Sequence, residues 1–214
     1  MIRFLVFDFD GTLADTTEGI LRTTEATVAR MGLPAPDRTA VQQAIGLPLR
    51  GSLRAAGIPE DRLEEGADIY HVLFYEVAPK HVSIYPGVKE GLASLAQAGC
   101  RMGIATSRSE PSLVMLLKEH GIRQYFEVLG SVGCVEHPKP APDLVQWVLE
   151  RFGASPEESV VIGDTTFDIQ MGKAAGCRTV AVSYGNHSAE LLQTASPDRI
   201  IGDLCELPPL LGSL

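Results

Sequence analysis

The sequence predicts an α/β protein in which a Rossmann-like parallel sheet carries helices on both faces and an all-helical cap is inserted after the first strand. Three observations lead there. An apolar run of Ile2, Phe4, Leu5, Val6 and Phe7 ends abruptly in Asp8, Asp10 and Gly11, as a buried strand does when it delivers polar groups at its carboxyl end. Beyond Tyr85-Pro86-Gly87, short apolar runs alternate with helical patterns, the rhythm of parallel strands joined by crossover helices. Between these regions lie about seventy residues with helical spacing alone, too many for a structureless loop inside a compact core.

Asp15-Thr16-Thr17-Glu18 reads as a helix start, and Ile20, Leu21, Thr24, Val28 and Met31 keep helical spacing until Gly32 and Pro34. Val41, Ala44 and Ile45 precede a break at Gly46-Leu47-Pro48, and Leu49, Leu53 and Ala56 precede one at Gly57 and Pro59. Leu63, Tyr70, Leu73, Phe74 and Val77 complete the helical block. A further helix is expected over Val88, Leu92, Leu95 and Ala96, with Gly99 as its stop. Strands are expected at 100–105, 126–129, 159–162, 179–182 and 199–201, and helices near 110–120, 142–152, 167–175 and 187–194. Residues 1–14 and 85–214 are therefore the expected core and 15–84 the cap, set beside the carboxyl ends of the strands where it leaves and rejoins the core.

A chain of 214 residues that is 45% hydrophobic can bury a full core, which excludes disordered and fibrous classes. Lysine and arginine number 18 against 27 acids, the net charge is −9, and the basic residues are scattered; nucleic acid and anionic membrane are not expected partners. Cys100, Cys134, Cys177 and Cys205 lie far apart without zinc-site spacing, as expected of reduced thiols. No apolar stretch approaches about 18 residues, and acids stand where a leader's apolar segment would fall, so a soluble, cytoplasmic protein is expected.

Asp8 and Asp10 stand two apart on one face of a strand, and the turn at Gly11 would bring backbone N–H groups toward a bound anion. One carboxylate can attack phosphorus while its neighbour holds a proton for the leaving oxygen. Alone, Asp-Gly marks a strand-end turn equally well. The segment from Met102 to Arg108 ends a strand in the hydroxyls of Thr106 and Ser107, which suits phosphate oxygens and suits ordinary helix capping. Lys139, between Pro138 and Pro140, is either an ammonium fixed near an anion or a solvated loop residue. The apolar run Val160-Val161-Ile162-Gly163 leads into Asp164, repeating the opening device with a second acid, Asp168, four residues on. Asp8, Asp10, Asp164 and Asp168 are expected to converge on one sheet edge, an all-oxygen set that suits Mg²⁺ and would repel itself without a cation.

Taken in order and in strand context, these segments resemble the motifs of the haloacid dehalogenase superfamily, and within it the phosphoglycolate phosphatase-like branch. Asp8-Phe9-Asp10-Gly11-Thr12 is similar to the first motif, Thr106 to the second, Lys139 to the third, and Gly163-Asp164 with Asp168 to the fourth. The resemblance covers nearly the whole chain and implies that the helical cap moves over the site. It implies that Asp8 is the nucleophile and Asp10 the general acid, then base. Mg²⁺ would be held by the Asp8 carboxylate, the Asp10 backbone carbonyl and Asp164, with Asp168 arranging water around the ion. Thr106 and Lys139 would bind the transferring phosphoryl group, helped by Gly11, Thr12 and Ser107. The implied activity is Mg²⁺-dependent hydrolysis of a small phosphorylated metabolite, a phosphoglycolate-like compound or sugar phosphate, through an aspartyl-phosphate, by a monomer or homodimer. A phosphomutase of the same branch would use the same residues, and a phospho-receiver module shares some of them but is shorter and has no helical insertion.

The core motifs can recognise only the phosphoryl group and the metal, so substrate choice is expected from the segment Ile45 to Ser52, where the resemblance places the family's specificity loop. Arg50 is the only charged residue there. Its guanidinium can pair with a carboxylate or second phosphate on the leaving group, or simply begin a helix in solvent.

Overall fold

A computed structural model describes residues 2–214. β1 (Phe4–Phe7) is followed by two short strands, β2 (Ala14–Asp15) and β3 (Ser83–Ile84), which pair antiparallel with each other. Between β2 and β3 run four helices: α1 (Thr17–Arg30), α2 (Arg38–Gln43), α3 (Leu49–Ala55) and α4 (Leu63–Val77). The β2–β3 ladder ties together the two chain crossings at the ends of this helical segment. No periodicity announces strands of two residues, and the sequence gives no sign of them.

The remaining chain alternates helix and strand: α5 (Val88–Gln97), β4 (Arg101–Ala105), α6 (Glu110–Glu119), β5 (Phe126–Gly130), α7 (Asp143–Phe152), β6 (Ser159–Gly163), α8 (Thr166–Ala174), β7 (Arg178–Val182), α9 (Ala189–Thr194) and β8 (Arg199–Ile201). Every expected strand in this stretch lies within one residue of its expected limits. Helix α9 begins two residues late because Ser188 serves as its N-cap, its hydroxyl accepting the Leu191 N–H. The sheet is parallel, in the order β5-β4-β1-β6-β7-β8, so the strand reached first by the chain lies between β4 and β6.

Alternation along β1 divides the core between the two faces of the sheet. Leu5 and Phe7 pack with Met102 and Ile104 and with Leu95 of α5 and Leu116 of α6, whereas Val6 packs on the other face with Val148 of α7 and Met171 of α8. The first of these cores continues into the helical segment through Leu21, Val28, Leu53, Tyr70 and Phe74. Within α1 the buried hydroxyls of Thr23, Thr24 and Thr27 donate to carbonyls four residues back, so the packed face leaves them satisfied. No described helix is long and apolar enough to cross a membrane, and the four cysteines are free.

The register fixes the site. Phe7 stands opposite both Ile104 and Ile162, so the residues that leave these three strands emerge side by side at the carboxyl edge. The Asp8 N–H donates to the Ile162 carbonyl at 2.8 Å and the Thr106 N–H to the Gly130 carbonyl at 3.0 Å, which carries the ladders to the residues bearing the polar groups.

Candidate active site

Asp8, Asp164 and Asp168 meet at this edge, each offering a carboxylate oxygen within 4.8 Å of the others, and all three are buried. Lys139 lies among them. Its Nζ donates to Asp8 Oδ1 and to Asp168 Oδ1, both at 2.6 Å, and its side chain is wholly removed from solvent. The alternative of a solvated loop lysine is thereby corrected: although the prolines place it on a loop, two buried carboxylates draw the ammonium inward. Burial opposes its charge, but Asp168 and Asp8 outweigh that and raise its pKa above the ordinary lysine value, so it remains an ammonium.

Each carboxylate is positioned by its own set of donors. Thr12 Oγ1 donates to Asp164 Oδ1 at 2.9 Å, while Asp164 Oδ2 accepts from the Asn186 N–H at 2.7 Å and from Asn186 Nδ2 at 2.9 Å. Asp168 Oδ2 accepts from the Thr165 N–H at 3.0 Å and Thr165 Oγ1 at 2.6 Å, a reciprocal cap at the start of α8. Gly11 adopts φ +86°, and a Cβ there would come 2.1 Å from Asp164 Oδ2, so glycine is required both for the turn and for the approach of the acid.

Burial raises the Asp8 carboxyl well above its ordinary 3.8, opposed by Lys139 and reinforced by the charges of Asp168, Asp164 and Asp10. Burial, then Asp168, pushes Asp164 up to about 7 against the hydrogen bonds from Asn186 and Thr12. Three carboxylates against one ammonium leave an excess of negative charge, and Asp8 Oδ2 is buried without any hydrogen-bond partner. An all-oxygen donor set with an unpartnered, buried carboxylate oxygen fits a hard divalent cation such as Mg²⁺. Asp10 does not join this cluster with its side chain, which corrects the expectation of four converging acids. Among the described residues, three carboxylates converge there.

The Asp10 carboxylate instead accepts a two-pronged ion pair from Arg108, with Arg108 Nε 3.0 Å from Asp10 Oδ2 and Nη2 on Oδ1. Arg108 stacks its guanidinium on Phe74 of α4, 4.7 Å from the ring centroid, and faces Phe9 at 5.8 Å. Asp8, Asp10, Thr106 and Arg108 open into a cavity of about 180 Å³ covered by apolar residues of the helical segment, including Ile20, Leu47 and Phe74. Ser107 Oγ donates to the Gly46 carbonyl at 2.7 Å and joins the strand edge to that cover.

Several sequence expectations change. The Gly11 N–H is held by the Ala14 carbonyl at 2.8 Å, closing the turn, and is not available to an anion. The Thr12 hydroxyl donates to Asp164, so in this structure that group positions an acid. Thr106 does face the cavity, its hydroxyl accepting from the Arg108 N–H at 3.3 Å. Arg50 is exposed on α3, pairs with Glu64 and does not line the cavity; solvent and a nearby surface acid hold it there more cheaply than a desolvated pocket would. Sequence reasoning assigned no role to Arg108, Asn186 or Thr165. Arg108 and Asn186 both follow a strand end, Asn186 in the polar run Tyr184-Gly185-Asn186-His187, and that placement was the available signal.

Fold and donor set together define a class: a parallel α/β protein with an acidic, cation-ready centre at its strand ends and a helical cover above it. The chain belongs to the haloacid dehalogenase-like hydrolase family, whose sequence model matches residues 5–182. It is 34% identical to a phosphoglycolate phosphatase of Nitrosococcus oceani over 98% of this chain and 96% of that one. It is 32% identical to the pyrophosphatase PpaX of Bacillus velezensis over 99% and 97% of the two chains. Among solved structures, a haloacid dehalogenase-like hydrolase of Bacteroides fragilis superposes with a TM-score of 0.91 at 29% identity, covering 97% of this chain and 100% of that one.

Proposed function

We propose that this chain is a Mg²⁺-dependent phosphomonoester hydrolase that turns over through an aspartyl-phosphate on Asp8, with residues 15–84 acting as a cap over the site. One observation carries the reading: Asp8 is buried in the wall of the cavity with one oxygen on Lys139 and the other unpartnered, beside Asp164 and Asp168. Such a carboxylate is fixed in place and has an oxygen uncommitted to the protein. The phosphoglycolate phosphatase and the pyrophosphatase align in sequence over 98% and 99% of this chain.

In the first half-reaction Asp8 attacks phosphorus, the bond to the leaving oxygen breaks with its electron pair on that oxygen, and Asp10 supplies the proton. In the second, Asp10 takes a proton from water as the water oxygen attacks phosphorus and the Asp8–phosphorus bond breaks, restoring both carboxyl groups. Lys139 holds Asp8 in orientation and offsets its charge, and Thr106 at the cavity wall is placed to donate to a phosphoryl oxygen. Asp8, Asp164 and the Asp10 backbone carbonyl would hold Mg²⁺, with Asp168 beside them; the bound ion supplies charge neutralisation for the phosphoryl oxygens. A cavity of about 180 Å³ suits a small leaving group, and the named activities of the relatives, toward phosphoglycolate and pyrophosphate, are of that size class.

The test is release of inorganic phosphate from a panel of small phosphomonoesters with and without Mg²⁺, in the wild-type protein and in Asp8→Asn. Turnover should require the ion, and Asp8→Asn should lose roughly 10⁴-fold or more, as removal of a nucleophile does. Phosphate release by folded Asp8→Asn at the wild-type rate would overturn the reading.

A further inference from the structure

The cavity contains a charged pair that the chemistry on Asp8 leaves unexplained. Arg108 is the only lysine or arginine among the residues lining it. Its side chain is 7% exposed and that of Asp10 12%, so the pair lies away from bulk water. The planar fork of Arg108 holds both oxygens of one carboxylate, which fixes the direction in which Asp10 faces. The carboxyl assigned to the leaving oxygen is thus tethered to a side chain that points into the space where the leaving group must sit. Phe74 of the cap and Phe9 of the core flank the guanidinium, so it is held in place when its partner changes.

We propose that Arg108 is the specificity-determining residue of the cavity: it exchanges Asp10 for an anionic group on the leaving part of the substrate, and the freed Asp10 carboxylate takes up a proton from solvent and turns toward the leaving oxygen to deliver it. This rests on the phosphomonoesterase reading above. A carboxylate or second phosphate offers the fork the same two-oxygen geometry that Asp10 offers, so the guanidinium trades one bidentate partner for another and is never left buried alone. A neutral leaving group cannot make that trade. It leaves the Arg108–Asp10 pair closed, and the acid stays turned away from the leaving oxygen. Recognition of the leaving group and release of the acid are then one event. The role that the sequence suggested for Arg50 falls to a residue of the core, placed two positions after Thr106.

The experiment compares kcat/KM for phosphoglycolate and ethyl phosphate, which differ in a carboxylate against a methyl group, with pyrophosphate as the arm carrying a second phosphate. Wild-type protein should prefer one or both anionic substrates over ethyl phosphate by roughly 100-fold or more. The arm that is preferred identifies which anion the fork accepts. In Arg108→Met, which keeps an apolar stem against Phe74, the preference should fall to within about tenfold, and ethyl phosphate turnover should rise because Asp10 is no longer tethered. Arg108→Lys, a point charge without the fork, should lie between the two and serves if the methionine variant does not fold. A wild-type enzyme that hydrolyses all three without preference, or variants that keep the wild-type ratio, would overturn the role of Arg108 alone. Wild-type protein that releases phosphate from none of these, nor from any phosphomonoester of the wider panel, removes the phosphatase reading itself.

Discussion

Lys139 Nζ donates to Asp8 Oδ1 at 2.6 Å, and solvent reaches almost none of either side chain. The same ammonium serves Asp168, so a single cation balances two buried acids drawn from different parts of the chain. Replacing Lys139 with Met leaves those carboxylates facing each other without it. We expect a stability loss of about 3–5 kcal/mol at pH 7.5, measured by denaturant unfolding, together with loss of turnover. The stability loss should be smaller at pH 5 than at pH 7.5, because burial and the neighbouring acids raise the Asp8 pKa and losing the ammonium removes the charge that opposes them, so falling pH favours a proton in place of the missing cation. An equal loss at both pH values would show that Lys139 acts through packing and not through charge.

The acidic centre also sets a pH dependence with a definite sign. Without a cation, Asp164 in the folded protein holds its proton up to about 7, against an ordinary value of 3.8, and Asp8 is shifted in the same direction. Between those values the folded state binds protons that the unfolded state has released, so stability contributed by these groups falls as pH rises through the window. On the proposed reading, Mg²⁺ bound by these carboxylates would compete with those protons. Melting temperature should therefore respond to MgCl₂ more strongly at pH 8 than at pH 5.5, and Asp164→Asn should lose most of that difference. A Mg²⁺ response independent of pH would remove these carboxylates from the cation site.

Asp10 is assigned to both half-reactions, so Asp10→Asn should slow turnover of an alkyl phosphate by roughly 10²–10⁴-fold. An aryl phosphate needs no proton on its leaving oxygen, and rapid mixing should show a burst of phenolate followed by slow hydrolysis of the phosphoenzyme. Equal impairment of aryl and alkyl substrates, with no burst, would count against the assignment.

Arg50 supplies the contrasting case. Its guanidinium pairs with Glu64 on the exposed face of the helical segment, where water and salt screen the interaction. Arg50→Ala should leave both the melting temperature and the ratio of kcat/KM between phosphoglycolate and ethyl phosphate as they are in the wild type. A change in that ratio would return substrate choice to the segment between Ile45 and Ser52.

The sequence by itself determined the order of elements and the positions of the polar strand-end groups along them. Unalternating apolar runs such as Leu5-Val6-Phe7 and Val160-Val161-Ile162 can be buried only in a sheet covered on both sides, and the polar residue after each run must then emerge at the strand end. Asp8, Thr106 and Asp164 were legible for that reason, as local patterns within a few residues of a strand. Tertiary structure decided what those groups touch. The commitment of Thr12 to Asp164, of Lys139 to Asp8 and Asp168, and of Arg108 to Asp10 joins residues between 29 and 152 positions apart. Nothing in local spacing selects Arg108 over Arg50, since both are arginines near a helix start. The difference lies in the surroundings: Arg108 sits beneath the helical segment, where a buried carboxylate and two aromatic rings must satisfy its charge, while Arg50 lies in water beside a surface glutamate.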